Sequence, residues 1–342
     1  MASGSTEALL SFVRAVRGQP ERRAELLPLL EESSPIYAGR GTGEAERLRG
    51  FIMASFADTG LPEEAMGFAL EELETGRDAY AVAAAARAVR SAERVPAELE
   101  RLLRRAADRI RGADDYVDFD DPAPPAGPRP ATALGEVEAT LAWLAAEAGR
   151  TAAPCCGGGA ASAPAAAPLD PAVLTRLRSI RLEDQAGADV SIGELFGPRP
   201  GAIAFFYTRC MNPERCSLTV SKLARLQALA RTAGAEDALA IAAISYDPAF
   251  DLPARLRDYG AARGLDFTPS CRLLRTRGAF EPLRALLDLG VGYGPATVNR
   301  HRVEMIAVFG RERAELRSRR LWDEAALLEA LLGRKGEASP AS

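Results

Sequence analysis

The reactive side chains are few. The 342-residue chain has one histidine, His301, and five cysteines, Cys155, Cys156, Cys210, Cys216 and Cys271. A single imidazole excludes a His-rich zinc site and a two-histidine metalloprotease motif within one chain. Cys210 and Cys216 stand in a C-x5-C spacing. Cys210 comes just after the apolar run Ala202–Tyr207 and the pair Thr208-Arg209. Cys216 falls at or near the start of the next helix. Asn212 reads as its N-cap, Pro213 as its first turn, and Glu214 as an acid at its positive end. Two thiols are thus expected at one strand-to-helix corner, where the helix end, Arg209 and Arg215 would lower their pKa values. Thiolate near neutral pH serves metal binding and thiol–disulfide exchange alike, so the spacing leaves both open. Cys155-Cys156 is either an accessory thiol pair that passes metal or electrons to that corner, or incidental to a low-complexity segment. Cys271 reads as a small, partly buried apolar residue. Asp247 and Asp251 read as turn and cap residues.

The elements that must position these groups fall into two sets. Residues 1–150 carry helical signals and almost no strand signals. A helix is expected from about Ser5 to Arg17, another after Thr42, and another opening at Leu61-Pro62-Glu63-Glu64 and ending at Gly76. Asp78 caps an Ala-rich helix to about Ala92, Pro96 opens the next, and Leu134 to Ala148 forms the last. This predicts an all-helical domain, a HEAT-like stack or small bundle of the kind that presents interaction surfaces. The acidic, then Pro-rich stretch 114–130 reads as a surface loop. Residues 151–168 (TAAPCCGGGAASAPAAAP) read as a flexible linker holding Cys155 and Cys156. From 169 to 336 strand and helix alternate. Ala202–Tyr207 and Leu239–Ile244 are uninterrupted apolar runs, as in strands buried on both faces. Val303 to Phe309 is a third strand and Trp322 to Leu332 a closing helix, which predicts an α/β layer fold on a partly parallel sheet. Residues 337–342 read as a disordered tail.

The segment FFYTRCMNPERCSLTVSKLARLQ resembles the core of the Sco/SenC family, copper-binding members of the thioredoxin-like superfamily. Ile244-Ser245-Tyr246-Asp247-Pro248 through Pro253 resembles the family's next strand end. Asn299-Arg300-His301, ahead of Val303 to Phe309, resembles its Asp-His before a strand. The resemblance covers about 170–335. It implies a thioredoxin-like fold and a copper site on Cys210, Cys216 and His301. Two thiolates suit Cu(I), and an added imidazole makes a set that holds Cu(II) as well. Thiol oxidoreductases of the superfamily usually carry Pro just before the equivalent strand; here His301 and Arg302 stand there and the nearest Pro is Pro295, which favours a metal site. The chain departs from the family pattern in three places. The spacing is C-x5-C instead of C-x3-C, Ser217 replaces a Pro after the second Cys, and Arg300 replaces the acid beside the His.

The expected function is a Sco-like copper-binding protein, a metallochaperone or a copper-dependent maturation or redox factor. The alternatives are a thiol–disulfide or peroxide-reducing oxidoreductase using Cys210 and Cys216, and a non-catalytic interaction scaffold. Expected partners are a copper donor or acceptor protein, and a protein bound by the helical domain. A net charge of −4 gives no basic field for nucleic acid. With 47% hydrophobic and 26% charged residues and no apolar run of membrane-spanning length, the chain reads as globular and without a membrane span. The N-terminus reads as an amphipathic helix, not a signal peptide, so the default expectation is a cytoplasmic protein.

Overall fold

The computed structural model describes residues 6–125, 127, 129, 131–151, 167–210, 212–295, 297–309, 316–318 and 321–333. Cys155 and Cys156, most of the expected linker, and the expected tail lie outside them. By internal contacts the chain divides into two units. One holds residues 1–162 and Gly292–Arg300, and the other holds 163–291 and His301 onward.

The first unit is helical, apart from residues 292–300 and a bridge between Tyr116 and Thr132. Its longer helices are α1 (Thr6–Arg17), α2 (Thr42–Ala54), α3 (Glu63–Thr75), α4 (Ala79–Val89), α5 (Leu99–Ile110) and α6 (Ala133–Thr151). Asp78 caps α4 by accepting from Ala81 N at 2.9 Å. The alanines of α4 are what let it sit at the centre, against α2, α3 and α6. Short side chains allow close helix approach, and a Cβ on Gly50 of α2 would lie 2.9 Å from Ala81 Cα. Around α4 pack Phe51, Ile52, Leu73, Leu102, Leu103 and Val137, all fully buried.

The second unit is built on an eight-stranded mixed sheet in the order β1-β10-β9-β4-β5-β6-β2-β3. The strands are β1 (Ala167–Pro168), β2 (Arg181–Asp184), β3 (Asp189–Ser191), β4 (Gly201–Phe206), β5 (Ala240–Ser245), β6 (Cys271–Arg275), β9 (Met305–Val308) and β10 (Leu316–Ser318). Between β6 and β9, β7 (Val291–Tyr293) and β8 (Val298–His301) pair as a separate hairpin. β4, β5 and β6 are parallel neighbours, with β9 antiparallel to β4. Every residue of β4 and β5 is buried, as their continuous apolar runs require. The longer helices of this unit are α7 (Pro171–Ser179), α8 (Leu218–Thr232), α9 (Pro253–Ala261), α10 (Glu281–Leu287) and α11 (Glu324–Leu331). β6 and the hairpin have no counterpart among the expected strands. His301 closes β8, and the strand expected from Val303 begins at Met305.

Among the described residues no helix is long and apolar enough to cross a membrane.

Candidate metal centre

The site grows from the C-terminal end of β4. Beyond Phe206 the chain is held by the end of β5: Tyr246 N donates to Phe206 O at 2.7 Å. Asp251 fixes Thr208, accepting from its backbone N at 3.1 Å and from its hydroxyl, and also accepts from the Ser245 hydroxyl. Asp251 is therefore a clamp on the loop that presents Cys210. Burial raises its pKa, against the hydrogen bonds from Ser245 and Thr208. Arg209 turns away to Asp247, 2.5 Å from Nη2, and covers the Phe250 ring at 4.0 Å.

The helix start that carries Cys216 is not regular. Asn212 caps as expected, accepting from Glu214 N at 2.9 Å. Residues Pro213–Ser217 then form a π-type turn, and Arg215 leaves helical geometry at φ −109°, ψ −105° before α8 begins. Such turns recur at functional sites because they re-aim side chains. Here the turn takes Cys216 inward to 1% exposure, while Cys210 stays partly exposed.

His301 arrives from the hairpin and is 4% exposed. Its Nε2 lies 3.5 Å from Cys210 Sγ and 3.4 Å from Cys216 Sγ. The two sulfurs and a ring nitrogen all fall within 4.8 Å of one another, and among the described residues this is the cluster of three such donors. Nδ1 lies 3.1 Å from the Arg302 carbonyl, which can only accept, so Nδ1 carries a proton. In the neutral ring Nε2 then presents its lone pair to the sulfurs. The Arg215 guanidinium donates to the His301 carbonyl at 2.7 Å. Tyr207 meets the imidazole edge-on at 5.3 Å, and Tyr246 lies 5.6 Å from it.

The two thiols are electrostatically unequal. The hydrogen bond with Cys216, and then the contact with His301, pull the Cys210 thiol far below its ordinary range despite burial. Burial, and then the neighbouring Cys210, push the Cys216 thiol well above it. The expectation that both thiols would be lowered therefore holds for Cys210 alone. Arg215 favours the Cys216 thiolate, but full burial outweighs it. Burial, followed by the two thiols, also raises the Tyr207 phenol.

Of the other sequence candidates, Cys271 sits buried in β6, its thiol pushed up to about 12 by burial, and takes no part in the cluster. Sequence reasoning missed the parts that orient His301. Arg215 drew notice only as a charge, whereas its structural role is a hydrogen bond to backbone. The Arg302 carbonyl carries no side-chain signal at all.

Three adjacent parallel strands, an antiparallel β9 beside β4 and a cysteine pair at the corner after β4 define a thioredoxin-like α/β domain. Residues 178–273 match the family model described as SCO1/SenC. Through this region the chain is similar to the SCO1/SenC family; the match takes in Cys210 and Cys216 and ends before His301. Similar solved structures include a SCO1/SenC family lipoprotein from Bacillus anthracis (15% identity, 45% of this chain and 91% of that one, TM-score 0.38). Others are Arabidopsis thaliana ScoI with copper bound (17%, 45% and 94%, TM-score 0.37) and yeast Sco1 with copper bound (22%, 47% and 88%, TM-score 0.36). No curated protein matches.

Proposed function

We propose that the protein is a Sco-type copper-binding protein in which Cys210, Cys216 and His301 hold one copper ion as cargo. The observation that carries this is the convergence of two sulfurs and an imidazole nitrogen within 4.8 Å. The donor chemistry fits. Thiolates are soft ligands suited to Cu(I), and the imidazole adds a donor acceptable to Cu(II). The contact of Nδ1 with the Arg302 carbonyl leaves Nε2 free for an ion and fixes the ring, as outer partners of ligating histidines do. The partial exposure of Cys210 leaves one ligand accessible to a donor or acceptor protein. The helical unit is the part we assign to recruiting that protein, since helical arrays offer extended surfaces.

Titration of the reduced protein with copper tests the reading. One ion per chain is expected, and thiolate-to-copper(II) charge-transfer absorption should change in His301→Ala. An unaltered Cu(II) affinity and spectrum in that variant would remove His301 from the set.

A second reading has one observation of its own. A low-pKa, partly exposed Cys210 beside a high-pKa, buried Cys216 is the asymmetry used in thiol–disulfide exchange. It requires a reversible Cys210–Cys216 disulfide, and failure to form one under mild oxidant eliminates it.

A further inference from the structure

We propose that Tyr246 is a positioning residue for His301. Its hydroxyl fixes the Arg302 carbonyl, which receives Nδ1–H and leaves Nε2 facing the two sulfurs. The inference rests on the reading of Cys210, Cys216 and His301 as a metal-binding set, and every residue it uses lies in the second unit. Tyr246 is fully buried. Its Oη donates to Arg302 O at 3.3 Å, and the same carbonyl lies 3.1 Å from His301 Nδ1. A carbonyl oxygen has two lone pairs, so one oxygen serves both donors. The Tyr246 ring also lies against the imidazole, with the centroids 5.6 Å apart.

Tyr246 is itself firmly held. Its backbone N donates to Phe206 O at 2.7 Å, at the end of β4. Its ring stacks on Phe205 at 5.8 Å and meets Phe280 edge-on at 5.5 Å. A ring packed in this way has one direction for its hydroxyl, and a buried phenol is anchored by its acceptor. The Arg302 backbone is pinned a second time by its own N, which donates to Gly290 O at 2.8 Å. With N and O both bound, the carbonyl cannot turn away from the imidazole. A carbonyl free to swing would release Nδ1–H, and the proton could then sit on Nε2, where it blocks the lone pair a metal needs. Ser245, one residue earlier, does the corresponding work for the thiol side. It donates to Asp251, which clamps Thr208 on the loop that presents Cys210. Two consecutive residues at the end of β5 therefore serve the sulfur and the nitrogen sides of the same ligand set.

The single histidine makes the test direct, because every imidazole signal in the protein comes from His301. In the reduced, metal-free full chain, at a pH that keeps the ring neutral, ¹⁵N spectra should show a protonated Nδ1 and an unprotonated Nε2. Tyr246→Phe keeps the ring and its packing and removes only the hydroxyl. In that variant the two nitrogen shifts should move towards each other as the tautomers mix. Cu(II) affinity should fall roughly 3–10-fold, the range that a single hydrogen bond commands. In a His301→Ala background the same substitution should cost nothing further. Unchanged nitrogen shifts in Tyr246→Phe overturn the proposal, as does an equal affinity loss with and without His301. If His301→Ala alone binds copper like the wild type, the metal reading fails, while the nitrogen shifts still decide the positioning.

Discussion

The buried charges of the helical unit and the buried donors of the α/β unit follow different rules. Around Arg49 every charge faces an opposite one: Glu32 pairs with it directly, and Glu71 and Glu72 lie 3.6 Å away. Arg300 faces Glu72 in the same cluster. Pairing of this kind adds little net stability over apolar packing, but it penalises every other arrangement, so it fixes register. At the thiol–imidazole cluster the contacts are instead long and soft, 3.4 to 3.5 Å from sulfur to nitrogen. There the strong hydrogen bonds go to backbone, from Arg215 to His301 O and between Nδ1 and Arg302 O. On the copper reading proposed above, such an arrangement keeps the inner valences weakly used and has its rigidity supplied by the backbone contacts behind the ring. The two units show these two uses of burial separately.

Breaking the second kind should have the larger effect. Cys210→Ser with Cys216→Ser should take copper binding from one ion per chain to none by native mass spectrometry, with the fold retained; binding that persists would place the site elsewhere. Breaking the first kind should cost stability. Arg49→Met removes the cation shared by Glu32, Glu71 and Glu72, of which Glu72 keeps Arg300, and about 3–5 kcal/mol of loss is expected. The two tryptophans separate the units, Trp143 reporting the helical unit and Trp322 the α/β unit. Urea unfolding followed in Trp143→Phe and Trp322→Phe backgrounds should show the Arg49→Met loss at Trp143 first. Ile244→Ala, in fully buried β5, should cost about 2–4 kcal/mol by cavity formation and appear first at Trp322. The smallest effect concerns pH. The Asp251 pKa is raised in the folded state, so its contribution is complete below its unfolded value near 3.9 and is lost as pH rises through the folded value. Asp251→Asn should flatten the stability–pH profile in that window, and an unchanged slope would remove Asp251 from the account.

Much of this was legible in the sequence. β4 and β5 announced themselves as unbroken apolar runs, α3 as a periodic helix and α4 as an Ala-rich one capped by Asp78. Cys210 and Cys216 followed from the strand-to-helix corner. Other parts hid for physical reasons. β6 reads Cys-Arg-Leu-Leu-Arg, with Arg272 and Arg275 answering Asp184 and Glu183 some ninety residues earlier in the chain, so its charges mimic a surface segment. β8 reads Val-Asn-Arg-His, four buried residues of which three are polar, and only remote partners make that burial tolerable. His301 was found through its resemblance to a family position. No local pattern would have placed it on a buried strand.

The Arg300–Glu72 pair spans 228 residues of chain. That distance matters while the protein is being made. At synthesis rates of about 5–20 residues per second, roughly 10–45 s separate the appearance of Glu72 from that of Arg300. Throughout that interval the emerging helices hold Arg49 and their acids without the last member of the cluster, and the floor against which the hairpin will lie is bare. The N-terminal unit is thus first in sequence but among the last to be complete. A chain that stops before residue 300 would lack the guanidinium that faces Glu72.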